Sequence, residues 1–121
     1  MRGKEEEIKY HVVNSTVHDK KCYAELEKII DGVVKDLEEK DIDEILETAL
    51  DITREQSLIN GKWETNKYTM CLAWGGPGTW LSTDGVIECS WWGDWIKAKI
   101  DSKRALERLE EIEQYLNDLY P

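Results

Sequence analysis

The sequence predicts an α+β domain: a small antiparallel meander of three strands packed against N-terminal helices and a C-terminal helix. Three observations predict it. Apolar residues recur at helical spacing from Cys22 to Leu50, alternate with period two through most of 63–96, and return to helical spacing from Ala105 to Leu119. With 121 residues the chain holds one core, so 1–121 is read as one domain: a lead-in (1–18), a helical part (19–58), the sheet (63–96) and a last helix (101–120).

Each element has its own signal. After a charged start, Ile8, Tyr10 and Val12 alternate with polar neighbours, the pattern of an edge strand over Ile8–Val13. From Asp19, a suitable N-cap, the stripe Cys22, Leu26, Ile29, Ile30, Val33, Val34 and Leu37 marks a helix. A break near Lys40 separates it from a second helix, begun by Asp41 and carried by Ile42, Ile45, Leu46, Ala49 and Leu50. Asp51–Leu58 reads as an extension of that helix or an irregular turn. Asn60-Gly61 is a turn signal, after which Tyr68, Met70, Leu72 and Trp74 alternate with smaller residues as a central strand does. Thr79–Thr83 and Val86–Trp92 are the next strands, joined at Asp84-Gly85, a pair suited to a two-residue turn with positive φ at both positions. The last helix shows Ala105, Leu109, Ile112, Leu116 and Leu119, capped by Ser102 or Asp101.

Charge narrows the partners. Twenty-six acidic residues against 16 basic give a net charge of −10, which repels a phosphate backbone and favours a basic protein groove. No apolar run reaches the roughly 18 residues of a membrane span, and the first residues lack a signal-peptide core, so a cytoplasmic protein, acting in the host cell cytosol, is expected. Cys22, Cys71 and Cys89 lack any metal or redox spacing and read as small buried groups, with a Cys71–Cys89 contact between adjacent strands as the alternative. His11 and His18 are the only histidines, and no zinc pattern, nucleophile elbow or phosphate loop is present, so neither a metal, a cofactor nor an enzymatic activity is expected. Glu88 and Asp94 beside tryptophans are the nearest approach to a carboxylate pair of the sugar-hydrolase kind.

Two surfaces remain as candidate binding sites. The first is aromatic: residues 71–95 hold five of the six tryptophans around Gly75-Gly76-Pro77-Gly78. That turn is read as a tight one that holds Trp74 and Trp80 at its two ends, the glycines relaxing the backbone and Pro77 fixing one φ. Trp91 and Trp92, as neighbours in one strand, are expected on opposite faces, so Trp92 joins Trp74, Trp80 and Trp95 as a candidate exposed anchor. The competing reading makes tryptophan the large core residue of a chain without phenylalanine. The second surface is acidic: Asp36, Glu38, Glu39, Asp41, Asp43, Glu44 and Glu47 crowd the helix break, either as a solvated face or as an imitation of phosphate spacing for a basic groove.

Ser57-Leu58, Gly61 with Trp63, Gly75-Gly76-Pro77, and Trp91 or Trp92 with Trp95 resemble the motifs of small acidic accessory proteins encoded by phages, prophages and plasmids. In that group a strand ends in Gly-Gly-Pro and a third strand closes in an aromatic element before a C-terminal helix. This chain departs from it at the short Asp84-Gly85 turn, at Asp94 in place of a frequent proline, and in the added helix from Asp19. The resemblance implies a mobile-element accessory protein, a group in which counter-defence inhibitors of the anti-CRISPR kind recur. Together with the charge and the absence of catalytic motifs, it gives the expected function: a non-enzymatic inhibitor of a host protein, such as a CRISPR effector, bound at its basic nucleic-acid-binding surface. The other readings are a self-associating interaction module and a small-ligand, sugar-type binder that uses tryptophan stacking.

Overall fold

Alternation along the strands sorts their side chains into two sets, and the helices cover only one of them. The computed structural model describes residues 8–75 and 77–121. In chain order the elements are β1 (Tyr10–Thr16), α1 (Lys20–Glu39), α2 (Ile42–Thr48), β2 (Asp51–Ile59), β3 (Lys62–Ala73), β4 (Gly78–Ser82), β5 (Val86–Trp91), β6 (Asp94–Ile100) and α3 (Lys103–Leu119). All strand pairs are antiparallel, in a six-stranded sheet of order β1-β6-β5-β4-β3-β2. The α+β class stands, but the sheet is twice the size of the expected meander. Asp51–Ile59 is a strand, not a helix extension; at the other edge β6 is an added strand, and β1 is the edge strand expected over Ile8–Val13, found at Tyr10–Thr16.

Tyr68, Met70, Leu81, Ile87, Ile96 and Ile100 point from the sheet to the helices and meet Leu26, Ile30, Val34 and Leu37 of α1, Ile45 of α2, and Leu109, Ile112 and Leu116 of α3. Each of these side chains contributes roughly 1.5–3 kcal/mol by leaving water. No tryptophan is among the buried residues, so the reading of tryptophan as the core aromatic fails; Tyr68 takes that place, its hydroxyl donating to Asn117 Oδ1 at 2.7 Å. Cys71 and Cys89, read as possible neighbours, lie on opposite faces with β4 between their strands. Burial pushes the Cys89 thiol up to about 11, so it stays protonated at neutral pH.

Caps and turns follow the chemistry of their residues. Asp19 and Ser102 cap α1 and α3, while Asp41 and Glu44 close a reciprocal capping box on α2. The β4–β5 turn differs from expectation: Gly85 alone has positive φ, and its N–H donates to Ser82 O at 3.0 Å, giving a three-residue loop with glycine in the left-handed position. Among the described residues, Asn60-Gly61 and Trp92-Gly93 are the turns with two positive φ values. Asp94, at the start of β6, is buried and accepts the N–H groups of His18 (2.6 Å) and Asp19 (3.1 Å), which fixes the N-terminus of α1 against the sheet.

Candidate functional site

The sheet face away from the helices carries the aromatic set. Cross-strand pairing puts Trp80, Glu88 and Lys97 in one row and Gly78, Ser90 and Trp95 in the next. Trp80 stands edge-on to Trp74, with ring centroids 6.5 Å apart and planes at 90°. Gly78 provides the space for this arrangement: a Cβ there would lie 2.6 Å from the Trp80 ring. The glycine-rich turn therefore seats an indole as well as bending the chain, and only Gly75 of its described glycines has positive φ. Pro77 is partly buried beside it, and Gly76 lies outside the described residues. Around Trp80 a shallow depression is lined by Glu55, Lys67, Thr69, Ser82 and Glu88.

Trp91 and Trp92 do separate, by a different route from the one expected. Trp91 ends β5 and packs against the core, whereas Trp92 leaves the strand to form the turn with Gly93. Its φ of 55° is left-handed and its side chain is 83% exposed. For a bulky residue that backbone costs about 1–2 kcal/mol, and no contact of the indole with the core offsets it. Trp74 is 65% exposed, and Trp95 is partly covered.

The acidic set lies on the helix layer, on the other side of the sheet, so the two candidate surfaces do not merge into one. Several of its members already have structural partners. Glu38 accepts from Lys9 Nζ at 2.7 Å and from Ser102 Oγ, and its backbone carbonyl accepts from Arg104 Nε at 2.7 Å, tying the residue before β1, the end of α1 and the start of α3 together. The hydrogen bond from Lys9, then that from Ser102, hold its carboxyl below the usual glutamate range. Asp41 and Glu44 cap α2, and Asp36 pairs with Lys40 at 3.5 Å. Glu39, Asp43 and Glu47 are exposed and make no ion pair among the described residues.

The other candidate carboxylates do not converge. Glu88 is exposed on the open face with Lys97 at 4.0 Å, while Asp94 is spent on backbone N–H groups. His11 meets Asp101 at 2.8 Å on the surface. Among the described residues no group of three His, Cys, Asp or Glu side chains is placed to hold a metal, and no helix is long and apolar enough to cross a membrane.

Sequence reasoning missed Leu58 and Trp63 as a unit. They are direct cross-strand partners on the β2–β3 hairpin, 60% and 66% exposed. The signal available was their symmetric placement about Asn60-Gly61. No protein-family model, no curated protein and no solved structure matches the chain.

Proposed function

We propose that the chain is a non-enzymatic protein-binding inhibitor whose partner is a host protein with a basic nucleic-acid-binding surface. The observation that carries this reading is Trp92: an exposed indole on a strained turn gives folding nothing, so its use lies in contact with another molecule. Trp74, Trp80 and Trp95 extend the apolar contact zone from that end of the sheet onto the open face. The net charge of −10 acts at a distance, steering the approach to a basic partner, and does not require Glu39, Asp43 and Glu47 to touch the same site as the indoles. The resemblance to phage and prophage accessory proteins supports counter-defence as the setting and a CRISPR effector as the kind of partner.

The test is affinity capture from host lysate treated with nuclease, followed by binding kinetics on the captured protein. A nucleic-acid-binding protein is expected, bound more weakly as salt rises. Trp92→Ala should speed dissociation by about thirtyfold, the effect of losing a ~2 kcal/mol anchor. Reversing Glu39, Asp43 and Glu47 to Lys should instead slow association and flatten the salt dependence. Capture of no nucleic-acid-binding protein, or unchanged dissociation for Trp92→Ala, overturns the reading.

A further inference from the structure

A surface on the opposite side of the molecule fits a second copy of this chain. The sheet ends at β2, and among the described residues no strand pairs with the outer edge of β2, which leaves N–H and C=O groups along it free to pair. The two edges of the sheet differ in how they are guarded. At the β1 edge the extra residue of a bulge, Val13, falls on the edge strand itself and interrupts it. At the other edge the extra residue, Asn66, falls on β3, so β2 runs regular for nine residues without proline or lysine.

Side chains and charge point the same way. Beyond Thr83 the β2–β3 hairpin continues without β4, and on its helix side Leu58 and Trp63 stand uncovered. On the same side of β2, Ile52, Arg54, Tyr68 and Tyr120 line an open depression, with Arg54 donating to Tyr120 O at 2.6 Å. Within residues 51–67, Asp51, Glu55 and Glu64 are balanced by Arg54, Lys62 and Lys67, although the whole chain carries −10. On this strip two copies meet without the like-charge repulsion that opposes contact elsewhere.

We propose that β2 pairs antiparallel with β2 of a second copy across a two-fold axis at Gln56, joining the two sheets into one. The axis follows from symmetry and charge. A two-fold normal to the sheet passes through a residue, because only then do like faces align. Centred on Arg54 or Glu55 it sets identical charges directly opposite, and centred on Thr53 it opposes Asp51 with Glu55. Centred on Ser57 it opposes none but retains only Glu55–Ile59. Centred on Gln56 it opposes none and keeps Thr53–Ile59 paired, with Leu58 of one copy facing Arg54 of the other beside the depression. The dimer does not depend on the host partner.

Sedimentation equilibrium tests it, with an expected mass twice the 14.1 kDa of the chain. Gln56 is exposed, so Gln56→Lys should keep the near-UV circular dichroism of the fold while weakening the dimer at least tenfold. Under oxidation Gln56→Cys should form a covalent dimer and Thr53→Cys should not, since the native cysteines are buried. A monomer at concentrations up to ~1 mM, a dimer indifferent to Gln56→Lys, or crosslinking through Thr53→Cys instead of Gln56→Cys overturns the proposal.

Discussion

Asn60-Gly61 and Trp92-Gly93 turn the chain at opposite ends of the sheet on nearly the same backbone, with φ of 51° and 78° in one and 55° and 85° in the other. Asparagine tolerates the left-handed position because its short polar side chain bonds locally, and a hairpin with Asn-Gly is what local energetics favour. Tryptophan meets none of that demand. One turn is explained by folding alone, and the other carries a side chain that folding disfavours. The difference separates residues kept for the fold from residues available for a partner, and it does so at equal geometry.

Three measurements can break or sharpen that comparison. The largest effect is expected at the Trp92 end, where the hairpin depends on its neighbour Asp94. Asp94→Ala leaves the N–H groups of His18 and Asp19 without their acceptor and should cost about 3 kcal/mol in urea unfolding. A loss below ~0.5 kcal/mol would mean that the turn region is held by something else.

Next is the carboxylate at the other end of the sheet. Glu38 is held below the usual glutamate range, so its stabilising contribution is fully present above the unfolded-state value of about 4.3 and is lost as the pH falls through its depressed folded-state value. The wild-type Tm should therefore drop more steeply on acidification than that of Glu38→Gln, and at neutral pH that variant should be less stable by about 2 kcal/mol. Parallel acid profiles would assign the network no role in stability.

The smallest effect is the most direct test. Exchanging the turn residues, Trp92→Asn should stabilise the protein by about 1 kcal/mol and Asn60→Trp should destabilise it by a similar amount. If Trp92→Asn destabilises, the indole has a folding role and the contrast between the two turns disappears.

Much of the helical layer was legible along the chain. The stripe from Cys22 to Leu37 needed only its 3.6-residue period, and Asp19, Asp41 and Ser102 announced their caps by chemistry that acts within three residues. β6 was not among the expected strands, although it carried a readable alternation of Ile96, Ala98 and Ile100 with Trp95, Lys97 and Lys99. β2 did not: in Asp51–Ile59 polar residues occupy both faces, because a strand at the sheet edge beside the end of α3 buries almost nothing. The acidic candidates show the converse. Glu38 and Glu39 look alike as neighbours in a charged run, yet Glu38 is part of a network joining Lys9, just before β1, to the start of α3, while Glu39 faces water.

The sequence by itself determined the α+β class, the start of each helix, the lopsided charge and the concentration of indoles near one glycine-rich turn, since period, capping and composition act through neighbours along the chain. Only the tertiary structure decided that six strands share the sheet, that no indole is fully buried in the core, and that the acidic run lies on the opposite side of the sheet from Trp80 and Trp95. Those outcomes depend on which segments pack against which. Burial is a property of contacts between residues distant in sequence, and the same side chain is core or surface according to what arrives to cover it.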